Sequence, residues 1–356
     1  MAEADPGTAE RERPTIDTEP GPSTWAVAAV ILLGLVGALV TYKASGSLAT
    51  ISRVQASHTL TPRAEWIATA GRAALVRPVL QAVNYLFIVW PALVFGVLIG
   101  GAVRAAVPSR WLARVLGGSP MRAQLIGGLA GAPLMLCSCC IAPVFTAVQQ
   151  RTRRTGPASA LLFASPSLNP AALALTFLLF PAEMAVARLL AAMVLVFGVA
   201  ALTARYVATE ERIPESCSLE AAGAGPLGAL SSLAREVART AWMTLPVLVL
   251  GILLSSIVFQ FVPLGSPPHM PFRMAAILLV ALVSVPLALP TFAEIPLALG
   301  LLAAGAPAGA ALALMIAGPA INLPSLLTVA RTTTRRHALA LAAGTFVSAA
   351  AAGLLV

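Results

Sequence analysis

The sequence predicts an all-α, polytopic integral membrane protein built from two related repeats with proline-broken or re-entrant helices. Three observations predict it: the composition, the length of the apolar segments, and a set of prolines that recurs. Of the 356 residues, 58% are hydrophobic and only 10% are charged. Soluble domains carry about a quarter charged residues. Apolar runs of about 18–25 residues are long enough to cross a bilayer core as helices. They are rich in Ala and Leu and lack the alternation of an outer-membrane barrel.

Taken in order, residues 1–23 are polar and acidic and include Pro6, Pro14, Pro20 and Pro22. This composition reads as a disordered tail. It lacks the basic flank of a secretory signal peptide, so the first apolar segment is expected to stay as an anchor. Residues 24–82 read as that anchor helix, apolar over 24–42, and a connecting segment carrying Lys43, Arg53, Arg63, Arg72 and Arg77. Within it, 60–82 fits either an interfacial amphipathic helix or a plain structured connection. A first transmembrane repeat, 83–206, holds apolar segments at 83–103, 123–148, 157–180 and 184–206. A polar linker, 207–240, contains Glu210, Glu211, Arg212, Pro214 and Glu215. The second repeat, 241–356, holds segments at 241–262, 274–302, 307–330 and 337–356.

The repeat rests on residue matches. Pro133, Pro143, Gly156, Pro166 and Asn169 recur 153 residues later as Pro286, Pro296, Gly309, Pro319 and Asn322. Upstream, Pro91 and Gly96 match Pro246 and Gly251. Proline removes a backbone donor and disturbs the preceding turn, so these positions are expected helix breaks. Breaks at membrane depth are tolerated where protein or a water-filled cavity satisfies the freed groups. Interrupted segments at corresponding places in two halves point to a transport site.

The net charge of +9 does not imply nucleic acid. The basic residues fall between apolar segments, as topology signals do. Arg104, Arg110, Arg114 and Arg122 precede segment 123–148, and Arg151, Arg153 and Arg154 follow it. A re-entrant hairpin there keeps both clusters on one side and makes the two halves inverted. A full span separates them.

Three of the four cysteines lie together in Cys137-Ser138-Cys139-Cys140. They are too close for an ordinary disulfide framework, and Cys217 stands alone in a polar loop. Thiolates favour zinc, copper(I) and other soft centres, although buried cysteine also packs as a small hydrophobe. No second cluster and no nearby His complete a zinc site, and His58, His269 and His337 read as interfacial residues at segment ends. Ser165, Asn169 and Asn322 sit beside breaks, where they either contact a substrate or satisfy freed backbone groups. Glu294, aligned with Ile141 of the first half, is an acidic residue in an apolar segment and a candidate for proton coupling.

The run Pro133-Leu134-Met135-Leu136-Cys137-Ser138-Cys139-Cys140-Ile141-Ala142-Pro143, with Gly156, Pro166, Asn169 and Gly318-Pro319-Ala320, resembles the YraQ-type predicted permeases of bacteria. That family includes organoarsenical efflux permeases. The resemblance covers about 83–356 and implies a multi-pass permease of the bacterial cytoplasmic membrane. It departs at Cys140, where glycine is commoner, and soft ligands come from the first half only.

The function expected is therefore a secondary permease for a small solute, including a thiol-reactive metalloid, organoarsenical or sulfur species. Cys137, Ser138, Cys139, Cys140, Ser165, Asn169 and Asn322 are the candidate substrate residues. No cofactor or resident metal is expected, and no GxxxxGK[ST] loop for nucleotide is present. The partners are a lipid bilayer and a small cargo, with a homo-oligomer left open. The alternative is a membrane thiol or sulfur redox factor, against which the chain lacks a CxxC motif at a helix start.

Overall fold

The computed structural model describes residues 22–57, 59–60, 65–73, 76–107, 109–116, 119–206, 226–260 and 273–356. The acidic tail as far as residue 21, linker residues 207–225 with Cys217, and both His58 and His269 lie outside them. All regular structure among the described residues is helical. Five helices are long and apolar enough to cross a membrane, or seven if each of two bent pairs counts as one span.

The first helix, α1 (Pro22–Ser57), is longer than its apolar core suggests. Its 36 residues rise about 54 Å at 1.5 Å each, and both Lys43 and Arg53 fall within it. Residues 65–73 form no helix, so the connection after α1 is irregular. Asn84 pins it by bonding both the N–H and the C=O of Ile67, at 2.9 and 2.8 Å. Next come α2 (Arg77–Ala106), α3 (Ser109–Val115) and α4 (Pro120–Gly131), which ends in a 3-10 turn at Ala132–Leu134. After a short extended stretch follow α5 (Ser138–Thr152), α6 (Thr155–Ser167) and α7 (Pro170–Leu179). A continuous helix then runs through α8 (Ala182–Met193), a π-helical stretch at Val194–Val199, and α9 (Ala200–Tyr206). The π stretch leaves a carbonyl unspent; Val196 O accepts from Gln124 Nε2 at 2.8 Å. The remaining helices are α10 (Pro226–Gln260), α11 (Arg273–Ser284), α12 (Glu294–Ala303), α13 (Ala308–Ala320), α14 (Leu323–Thr332) and α15 (Arg335–Leu355).

Burial is arranged inside out relative to length. The short helices α5, α6 and α13 form the centre, and every residue of α6 is buried. The long helices α1, α2, α10 and α15 and the α8–α9 helix surround them and expose Leu33, Trp90, Leu190, Trp242 and Val347, among others. An apolar exterior of this extent fits hydrocarbon, not water.

The path of α4 and α5 follows from their neighbours. Along α4, Gly127 faces Pro157 and Gly131 faces Leu161, so α4 runs parallel to α6. The α5 helix turns back through Arg153–Arg154 into α6, and Leu136 returns to Ser165, so α5 is antiparallel to it. Hence α4 and α5 are the two arms of a hairpin whose tip is Met135–Cys137. Its ends stay together, with Arg154 Nη1 bonding Leu116 O at 2.6 Å. The same reasoning applies to α11 and α12. Ile277 of α11 lies at Gly309 and Leu289, beyond the end of α11, at Gly318, so the chain from α11 into the following tip runs parallel to α13. Its tip is 285–293.

The six prolines fall into three pairs. Pro133 lies in the 3-10 turn and Pro286 in the second tip, where the chain does break. Pro143 and Pro296, expected as breaks, lie inside α5 and α12, and both helices continue through them. Each sits within two turns of its helix start, where the lost bond frees only an early carbonyl. Pro166 and Pro319 are the penultimate residues of α6 and α13, each followed by a bend, of 41° into α7 and 43° into α14. Asn169 and Asn322 then cap the next helix. Asn169 Oδ1 accepts from the N–H of Ala171 and Ala172, while Asn322 forms a reciprocal capping box with Ser325.

Candidate functional site

The site is built where hairpin tips meet bent spans. In the first tip, Met135 takes a left-handed backbone with φ 50°, which turns the chain from α4 toward α5. Ser165 Oγ accepts from the Leu136 N–H at 3.0 Å and donates to its carbonyl at 3.2 Å, replacing helix partners lost at the tip. In the second tip, Phe292 is also left-handed, with φ 75°. There the Pro286 carbonyl accepts from the N–H of Leu323 at the α13–α14 bend. Both tips thus spend their freed backbone groups on the adjacent bend. Non-glycine residues at positive φ carry strain and cluster at functional sites.

Cys137 caps α5 and the next turn brings the other thiols to it. Cys137 Sγ lies 3.1 Å from Cys139 Sγ and 2.8 Å from Cys140 Sγ, and the last two are 3.8 Å apart. Three sulfurs about 2.3 Å from one central ion stand roughly 4 Å apart at most, so the spacing suits a single three-coordinate soft centre. Behind them, Tyr85 Oη contacts Cys139 Sγ at 3.2 Å. The packing is close because Gly96 of α2 faces the Cys140 carbonyl, and a Cβ there would collide with it. The spacing of Cys137 and Cys140 is also that of a CxxC pair at a helix start, contrary to the expectation from the sequence. The run Cys137-Ser138-Cys139-Cys140 carries that spacing itself, and the first turn of α5 brings its two end sulfurs together.

Two adjoining cavities reach the tips. A cavity of about 190 Å³ is lined by Cys137, Asn169, Met135, Lys43, Thr291 and Phe292, among others. A larger one, about 800 Å³, lies between α1, α2, α10 and the second tip, and is lined by Arg53, Glu65, Asn84, Tyr85, Ser255 and Pro296, among others. Thr50, Ile88, Thr291 and Phe292 line both. Of the seven candidate substrate residues, Cys137 and Asn169 border the smaller of these two cavities and the other five border neither. Cys139 and Cys140 lie behind Cys137, Ser138 is buried in the first turn of α5, and Ser165 holds the tip. Asn322 is fully buried with its Nδ2 unpartnered.

Glu294 borders neither cavity. Its Oε1 accepts from Arg188 Nη2 of α8 at 2.9 Å, with both side chains no more than 3% exposed. Arg188 Nη1 also donates to Thr176 Oγ1 of α7 at 2.6 Å. Sequence reasoning missed Arg188, whose only sequence signal was a cation inside an apolar segment. His337, expected at an interface, is fully buried and bonds Ser159 through Nε2 at 3.1 Å. Lys43 was also missed as a site residue. It lies midway along the candidate span Ala29–Ser57, just past the end of the apolar run 24–42.

Lipid-facing helices around broken half-helices, with one thiol of a buried cluster bordering a cavity, define a multi-pass protein of the cell membrane that acts in transport. The comparisons identify the group. Residues 79–356 match the ArsP_1 family, described as a predicted permease, and the chain belongs to that family. It is 31% identical over 249 residues to the UPF0718 protein YraQ of Escherichia coli (strain K12), covering 69% of this chain and 71% of that one. It is 35% identical over 89 residues to the UPF0718 protein MJ0584 of Methanocaldococcus jannaschii, about a quarter of each chain. No solved structure matches it significantly.

Proposed function

We propose that this permease moves a small solute with a soft, thiol-reactive centre, a trivalent metalloid or organoarsenical or a sulfur species, by alternating access. The observation that carries the reading is Cys137. It borders the small cavity and holds two further sulfurs within 4.8 Å at a hairpin tip. Cys137 makes the first contact, Asn169 the second, and Cys139 and Cys140 complete the soft ligand set. Ser138, Ser165 and Asn322 keep the tips and bends in shape.

The two-repeat reading is supported by helix limits. The pairs α6 and α13, and α7 and α14, have equal lengths of 13 and 10 residues. Their starts, Thr155 and Ala308, then Pro170 and Leu323, keep the 153-residue offset. With each hairpin re-entrant, a half has three full spans, and an odd number makes the halves inverted. Glu294 couples protons through Arg188, because protonating the carboxylate dissolves the ion pair between α8 and α12.

The test is flux in reconstituted vesicles across arsenicals, small thiols and soft metal ions. The triple variant Cys137→Ser, Cys139→Ser, Cys140→Ser should abolish movement of the thiol-reactive probes. Unchanged flux in that variant removes the ligand role. The CxxC spacing of Cys137 and Cys140 supports a second reading as a dithiol redox factor. Mass spectrometry showing a disulfide that forms and is reduced during turnover would favour it over transport.

A further inference from the structure

The small cavity has an electrostatic character that thiol chemistry does not require. Lys43 borders it and makes no ion pair or hydrogen bond among the described residues, and no carboxylate among them lines the cavity. One turn along α1, Ser47 lines the same wall; it is 6% exposed and its hydroxyl makes no hydrogen bond. Opposite, Asn169 is 1% exposed. Its Oδ1 is spent on capping α7, and its Nδ2 makes no hydrogen bond. Two helix starts also open here, because the caps of the 15-residue α5 and the 10-residue α7, Cys137 and Asn169, are both lining residues. First-turn N–H groups lack helix partners and carry positive partial charge. Half-helix starts of this kind hold anionic groups in transporters.

A half-buried, unpaired cation, two unspent and buried polar side chains and two helix starts around a space of about 190 Å³ form a receptor for negative charge. We infer that the cargo is bound as a small anion, an oxyanion of sulfur or of a metalloid, with its charge between Lys43 and the α7 start, beside Cys137. The inference rests on the permease reading above and narrows its substrate class. Lys43 and Ser47 come from α1, which lies before the family match beginning at residue 79.

The experiment uses the full chain in proteoliposomes with three probes: thiosulfate, arsenate, and arsenous acid, which is uncharged at neutral pH. Lys43→Met should lower uptake of whichever anion the wild type moves by tenfold or more. Lys43→Arg should restore most of it, and arsenous acid movement should change less than twofold. Thiosulfate against arsenate tells a sulfur oxyanion from a metalloid one. Ser47→Val, which leaves the charge in place, should weaken anion uptake several-fold and guards against a folding defect at position 43. Anion uptake unchanged in Lys43→Met overturns the inference, as does an equal loss for arsenous acid. Failure of both anions to move, or to shift the thermal unfolding of the wild type, overturns it too. Cysteine-dependent movement of arsenous acid alone would then leave the permease reading standing without it.

Discussion

Removing either member of the Arg188–Glu294 pair should destabilise the protein far more than removing both. The two side chains are 2% and 3% exposed and meet at 2.9 Å, so neither can recover its interaction from water. Truncating one partner of a buried pair costs about 3–5 kcal/mol because the other charge is left uncompensated. That is roughly two to three and a half powers of ten in the unfolding constant. Thr176 already donates its hydroxyl to Ala172 O, so it accepts from Arg188 but cannot neutralise it. Glu294→Gln keeps the shape and loses the charge; Arg188→Met keeps the apolar stem. The double variant holds no stranded charge and should recover at least about 2 kcal/mol of the summed losses. Equilibrium unfolding in mixed micelles of mild and denaturing detergent, run as a double-mutant cycle, measures this. Single losses each below about 1 kcal/mol, or a strictly additive double variant, would refute the claim that the pair is buried and coupled.

Asn322→Ala removes one half of a capping box and should cost about 1 kcal/mol, up to about 2, in the same unfolding assay. Gly96→Val places a branched side chain against the Cys140 carbonyl and should cost about 1–3 kcal/mol or more, read as loss of monodisperse protein on size exclusion. Single cysteines placed at Arg122 and Thr152, in a background without native cysteines, should label from the same face of oriented vesicles. Labelling from opposite faces would contradict the α4–α5 hairpin.

Much of the fold can be read along the chain because apolar length and proline position are local properties. The nine apolar segments all reappear as helices or helix pairs, and the asparagines beside Pro170 and before Pro324 do cap helices. Hydropathy ended the first segment at Lys43, since a charge stops an apolar run whether it faces lipid or a cavity. Pro143 and Pro296 were misread because proline near a helix start breaks little, and only the tip's location shows where that start is. The partner of Glu294 lies 106 residues away, and no periodicity connects Arg188 to it. The contact between the two tips, Cys137 and Thr291 lining one cavity, is equally long-range.

One wall of the small cavity is held differently from the rest. In its apolar window α1 buries only 6% of its residues, while the tips and bends opposite are locked by caps, shared backbone bonds and a buried ion pair. Among the described residues of α1 only Leu39, Ser47 and Val54 are buried, so the positions between them, Lys43 and Thr50 included, meet fewer packing constraints than the tips, where a change disturbs several helices at once. On the anion-binding proposal, preference for cargo drifts on that helix while the tips and bends stay as they are. Exchanging α1 between relatives is accordingly the cheapest route, for evolution or for an engineer, to a permease of altered taste.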